Sequence, residues 1–215
     1  MSENALVLLS GGVDSAVALY WAMARGWKVH TLEFDYHLRP CREKRACQGL
    51  RGSAAIENSI VVPVPFIREA VDLPPGMVAN PALLDAPEGY VPSRNLIFYS
   101  ISAYYAEIWN ARFIVGGHNR TDHVSFPDAG KEFFSHFENL LRLGMWSHPE
   151  TCTRVILPLI ELDKGEVLAL GKDLKVPFEH TWSCYCDSER PCGVCASCLE
   201  RGEAFRSLGL TDPLT

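Results

Sequence analysis

At 215 residues the chain has room for one α/β domain with a small appendage, and its 47% hydrophobic content supports a full core, which excludes disorder. A net charge of −6 argues against a broad nucleic-acid surface. Its apolar runs fall short of the roughly 20 residues that span a bilayer, and no charged-then-apolar leader precedes the first strand, so a cytoplasmic protein is expected.

Residues 5–9 are an apolar run of strand length, and residues 16–25 read as a helix. Between them lies Ser10-Gly11-Gly12-Val13-Asp14-Ser15. Adjacent glycines let the backbone turn sharply and let a ligand approach the main chain. The helix start aims unpaired N–H groups and a positive dipole end at the same space, which makes an anion site suited to phosphate. The spelling is neither G-x-x-x-x-G-K-[ST] nor G-x-G-x-x-G. It resembles the pyrophosphate loop of the ATP pyrophosphatases, enzymes that activate a carbonyl or carboxylate by adenylation. That resemblance implies that the hydroxyls of Ser10 and Ser15 and the backbone from Gly11 to Val13 hold the phosphates of ATP, with Asp14 at the Mg²⁺–phosphate end.

Residues 28–36 read as a second strand, with Asp35, Tyr36, His37 and Arg39 at its carboxyl end, where open parallel sheets bind ligands. Asp35 suits a ribose hydroxyl or an amine, and Arg39 and Arg42 suit a phosphate or carboxylate. A helix over 41–56 and a strand over 59–66 follow, the prolines at 63 and 65 suiting an edge position or a strand end. Residues 67–92, rich in proline, read as a lid over the site. Val91-Pro92-Ser93-Arg94-Asn95 then opens a helix to about Trp109, with Ser93 as the expected N-cap. Its aromatics (Phe98, Tyr99, Tyr104, Tyr105, Trp109) mark it as deeply buried or shared with a second subunit in a homodimer.

A fourth strand over 112–117 ends in Gly116-Gly117-His118-Asn119, with Asp122 just beyond, and Gly117 permits close approach of a purine or another ligand. An amphipathic helix over 131–144 and a short strand over 155–157 complete the pattern. Asp163 and Glu166 have the spacing of a helix start, so 164–174 should be helical. Lys164 then stands in the first turn, beside a positive dipole end, a conflict that bound phosphate relieves. These elements predict an open, doubly wound parallel sheet of about five strands over residues 1–180.

Five of the eight cysteines fall in residues 184–198. Cys192, Cys195 and Cys198 make two overlapping C-x-x-C turns, which present sulfurs to one tetrahedral ion such as zinc. Either Cys184 or Cys186 supplies the fourth ligand, and residues 181–215 read as a closed, structural metal-binding tail.

The chain resembles the 7-cyano-7-deazaguanine synthase family. The resemblance rests on the Ser10–Ser15 loop, Phe34-Asp35-Tyr36, Val91-Pro92-Ser93-Arg94-Asn95, Phe126-Pro127-Asp128, Lys164, Thr181-Trp182-Ser183-Cys184-Tyr185, the C-x-x-C-x-x-C run and Glu200-Arg201. It implies one structural zinc on Cys184, Cys192, Cys195 and Cys198. It also implies catalysis by Asp14, Ser15, Lys164 and Arg94, with Asn95, Asp35 and Gly117 joining the loop around ATP. Tyr36, Arg39, Asp122, Phe126 and Asp128 would then face a carboxylate, 7-carboxy-7-deazaguanine, that ammonia converts to the nitrile.

The sequence departs from the family pattern where substrate is read. His37-Leu38-Arg39-Pro40 replaces a Gly-Gln pair followed by basic residues, His123-Val124-Ser125 replaces a tyrosine-serine-glycine run, and Ala129-Gly130 replaces cysteine-arginine. These departures leave open activation of a different carboxylate and, from another class, a non-catalytic nucleotide-binding module.

Overall fold

A computed structural model of the chain describes residues 2–69, 72–73, 76–77, 80–86 and 89–215. Five strands, β1 (Asn4–Leu8), β2 (Lys28–Tyr36), β3 (Asn58–Val64), β4 (Phe113–Val115) and β5 (Arg154–Ile156), form one parallel sheet in the order β3-β2-β1-β4-β5. Among the described residues the helices are α1 (Val13–Ala24), α2 (Cys41–Ser53), α3 (Arg94–Ile108), α4 (Arg120–Ser125), α5 (Lys131–Gly144), α6 (His148–Thr151), α7 (Lys164–Asp173) and α8 (Ala196–Ser207). None of them is long and apolar enough to cross a membrane.

Strand β1 is apolar on both sides because it lies in the middle, and its alternation sorts the core into two layers. Ala5, Val7 and Leu9 face α1, α7 and α8, meeting Val17, Leu19, Val167, Leu168 and Phe205. Leu6 faces the other way and joins Leu32, Phe34 and Ile114 against Tyr99 and Ala106 of α3 and Phe134, Phe137 and Leu141 of α5. Each fully buried large side chain, such as Leu6, Leu19 or Leu168, contributes about 1.5–3 kcal/mol. The strand order reverses between β1 and β4, the switch point beyond whose carboxyl ends open parallel sheets bind ligands.

Several details differ from the sequence reading. Helix α1 begins at Val13 because extended Gly12 serves as its N-cap, which puts Asp14 and Ser15 inside the first turn. Strand β3 ends at Val64 rather than 66 and is an edge strand, where Pro63, in register with Asp35, is tolerated. Ser93 holds the N-cap position of α3 but in a left-handed conformation (φ 53°) with no capping bond. Asp128 does that work from outside, its Oδ2 accepting the Asn95 N–H at 2.9 Å. Helix α4 went unread although Asn119 and Asp122 form a full capping box at its start. Helix α3 buries Tyr99, Ser102, Ala103 and Ala106, whereas Leu96, Tyr104 and Ile108 are exposed, so its aromatics are divided between core and surface. The expected lid over 67–92 falls partly outside the described residues; within them a 3-10 turn spans Pro81–Asp85.

Helices α1 and α7 cross closely at Gly171, where an added Cβ would lie 2.7 Å from both Val17 Cγ2 and Phe178 Cζ. Overpacking there costs about 1–3 kcal/mol, offset by up to about 1 kcal/mol of helix propensity. Gly171→Ala is therefore expected to lower stability by about 1–2 kcal/mol, read as an earlier denaturant midpoint at unchanged slope.

Candidate active site

The loop between β1 and α1 is tied to itself by its two hydroxyls. Ser10 Oγ accepts the Gly12 N–H at 3.2 Å, Ser15 Oγ accepts the Ser10 N–H at 3.2 Å, and the two oxygens lie 3.0 Å apart. These oxygens occupy N–H groups that a phosphate would take over. Gly11 adopts φ +91°, and a Cβ on it would stand 2.6 Å from the Glu43 carbonyl, so α2 presses against the outside of the loop.

Lys164, the first residue of α7, donates from Nζ to Asp14 Oδ2 at 2.6 Å, and Glu200 Oε2 of α8 lies 4.0 Å away. Burial works against the ammonium, but Asp14, Glu200 and Asp122 outweigh it and raise the Lys164 pKa. Asp14 Oδ1 is buried and has no hydrogen-bond partner among the described residues. Burial, and then the nearby Asp14 charge, push the Asp122 carboxyl up against the lowering pull of the Asn119 N–H. His118 sits between Tyr99 and Phe134, and burial with the Arg94 charge drives its imidazole down to about 4, so it is neutral near pH 7. The Arg94 guanidinium has no hydrogen bond or ion pair among the described residues and lies over the Phe126 ring at 5.8 Å.

The structure thus brings Ser10, Ser15, Asp14, Lys164, Asp122 and Arg94 into one neighbourhood. Other residues picked from the sequence lie elsewhere or already hold protein partners. Arg39 is buried beneath the loop, where Phe34 O, Ser10 O, Cys47 Sγ and Glu43 take its N–H groups. Arg42 reaches the tail, donating to Ser188 O and stacking over Trp182. Asp35 pairs with Lys44 at 2.6 Å, and the Tyr36 hydroxyl donates to Glu43 Oε2. Asn95 donates from both its backbone and its side chain to Asp128, which binds the start of α3 to the segment after Phe126. Gly117 is needed for a different approach than a purine's, since a Cβ there would lie 2.9 Å from Asp14 C and Ser15 N. Glu200 was missed as a site residue because no spacing in the sequence brings α8 to Lys164.

In the tail, the sulfurs of Cys184, Cys192, Cys195 and Cys198 lie within 4.8 Å of one another. Cys186 stays exposed outside that set, its N–H donating to Cys184 Sγ at 3.3 Å. The N–H groups of Val194 and Cys195 pull the Cys192 thiol down to about 6, while burial pushes Cys198 up. Four clustered sulfurs fit a soft, tetrahedral metal ion. The Trp182 N–H, just before this cluster, donates to Gly11 O at 2.8 Å, and Arg201 locks the segment through Thr181 and Asp212.

A serine–glycine loop and a helix start at the switch point of a 3-2-1-4-5 parallel sheet define a protein with a Rossmann-like fold. The fold resembles that of the NMN synthetase from Francisella tularensis, with a TM-score of 0.53 at 18% identity over 98% of this chain and 79% of that one. It also resembles a 4-thiouridine synthetase in an RNA complex with bound ATP, with a TM-score of 0.53 at 20% identity over 95% and 54%. The family described as "Queuosine biosynthesis protein QueC" matches residues 4–209, and the chain belongs to that family. The 7-cyano-7-deazaguanine synthase of Trichodesmium erythraeum is 36% identical over 220 residues, covering 98% of this chain and 99% of that protein. Its counterpart in Thermoplasma acidophilum is 37% identical over 217 residues, covering 99% and 91%.

Two outcomes follow from this geometry. Asp14→Asn should lower ATP turnover by about 100-fold or more. It should lower stability by less than about 2 kcal/mol, because Lys164 keeps an acceptor at that position; ATP–pyrophosphate exchange and thermal melts check the two halves. Cys184→Ser should abolish stoichiometric metal binding and speed proteolysis within 180–205, while Cys186→Ser retains the metal, as elemental analysis would read.

Proposed function

We propose that this chain converts 7-carboxy-7-deazaguanine, ammonia and ATP to 7-cyano-7-deazaguanine. Family membership gives the reaction, and the Asp14–Lys164 pair at the phosphate loop is the observation that carries it for these residues. A carboxylate is a poor electrophile until one oxygen becomes a leaving group. Attack of that oxygen on the α-phosphorus of ATP expels pyrophosphate, and ammonia then displaces AMP to leave an amide. A second activation, now of the amide oxygen, lets AMP depart with loss of protons as the nitrile forms.

In this reading the N–H groups at the start of α1 and the ammonium of Lys164 hold the triphosphate, and the Arg94 guanidinium, without a polar partner among the described residues, holds the substrate carboxylate. The orphaned Asp14 Oδ1 fits Mg²⁺ brought with ATP, which when bound supplies charge neutralisation on the phosphates. The four-cysteine cluster would hold zinc, and a reducing cytoplasm would keep those thiols available. A homodimer would cover the exposed Leu96, Tyr104 and Ile108 of α3.

A second reading keeps the activation chemistry and changes the carboxylate. It is favoured by His37, whose Nε2 lies 3.1 Å from Arg68 NH1 where the family carries a Gly-Gln pair. Arg68 also lines a cavity of about 440 Å³ with Phe66, Ile67, Val91 and Pro92. Incubation with 7-carboxy-7-deazaguanine, ammonium and Mg·ATP, followed by mass spectrometry, decides between the two. The amide and then the nitrile are expected; ATP–pyrophosphate exchange without either product would support the second reading.

A further inference from the structure

The carbonyls of the phosphate loop are each held away from the anion site by a donor. Leu9 O accepts from Cys47 Sγ at 3.6 Å, Ser10 O from Arg39 NH2 at 2.9 Å, and Gly11 O from the Trp182 N–H at 2.8 Å. Gly12 O accepts from Ser15 Oγ at 3.0 Å and from the Ala16 N–H at 3.1 Å. A loop that binds anions through its N–H groups must turn its carbonyls outward, since a peptide that flips would present an oxygen to the phosphate. Anchoring the carbonyls fixes the orientation before ligand arrives.

Arg39 stands out in this set. Its side chain is 1% exposed, so no ligand touches it. Its NH1 donates to Phe34 O at 2.9 Å while NH2 donates to Ser10 O, which joins the carboxyl end of β2 to the loop after β1. Glu33 at 3.6 Å and Glu43 at 3.4 Å balance its charge. The planar fork of arginine reaches both carbonyls at once, and a lysine ammonium on a flexible stem cannot.

We propose that Arg39 is a positioning residue for phosphate binding, acting through the Ser10 carbonyl. The proposal rests on the reading of the loop as the ATP site. It accounts for a buried cation whose three guanidinium nitrogens are all hydrogen-bonded, at a position where sequence alone suggested contact with a ligand.

The test is Arg39→Lys, which keeps the charge between Glu33 and Glu43 and removes the double contact. Affinities for ATP, pyrophosphate and adenosine are measured by calorimetry on protein shown to be folded by its melting profile. Loss of one such contact should weaken ATP and pyrophosphate about tenfold and leave adenosine unchanged. In turnover KM for ATP should rise while kcat stays within about twofold, the pattern of lost uniform binding. ATP affinity equal to that of the wild type, or a fall in kcat at constant KM, overturns the proposal. Should Arg39→Lys fail to fold, Cys47→Ala removes both the donor to Leu9 O and a partner of Arg39. A loss of about threefold in pyrophosphate affinity is then expected, and no change overturns the proposal. Wild-type protein that binds no ATP would instead overturn the ATP reading of the loop, and the proposal with it.

Discussion

Two helices begin at one point. Helix α1 starts at Val13 and helix α7 at Lys164, and the Asp14–Lys164 contact of 2.6 Å joins their first turns. Each start has a positive dipole end, that of α7 closed by the capping box of Asp163 and Glu166, and Lys164 adds a full charge where a helix alone would disfavour one. Asp14, Glu200 and Asp122 all face that charge and offset it. Gly117 and Gly171 permit this geometry, since a side chain at either would force α1 away from β4 or from α7.

What could be read from the sequence follows how local each signal is. The Ser10–Ser15 loop was legible because its parts are contiguous, and Lys164 because a cation in a first helical turn is a visible conflict. The five-strand parallel sheet was legible from apolar runs separated by helical segments, whereas Pro63 suited either an edge or a strand end, and the structure shows the edge. Cys184 was singled out by resemblance, since spacing left Cys186 equally open; the clustered sulfurs include Cys184 alone of the two. The misreadings concern residues whose surroundings come from distant elements. Arg39 follows a strand end by only three positions, yet it turns inward because Glu33, Glu43 and two carbonyls await it there. Ser93 looked like a cap, but the capping carboxylate arrives from Asp128.

The tail takes part in the site through several contacts. Its four cysteines lie apart from the loop in sequence, but Trp182, Arg42 with Ser188, and Glu200 near Lys164 connect them to the loop at Gly11, α2 and α7. Ala204 and Phe205 of α8 also lie in the core layer shared by α1 and α7. Closing the cysteine cluster around an ion would therefore stiffen a segment that borders the phosphate loop on one side and Lys164 on the other.

The bond from the Trp182 N–H to Gly11 O has a particular evolutionary consequence. It uses main-chain atoms at both ends, so nineteen of the twenty amino acids could stand at 182 and still make it, proline being the exception. A substitution scan would pass over such a contact, and relatives could drift at this position without losing it. Selection would register it as a constraint on where the chain runs, in the length and path of the segment between the 3-10 turn Phe178–His180 and the first cysteine of the cluster.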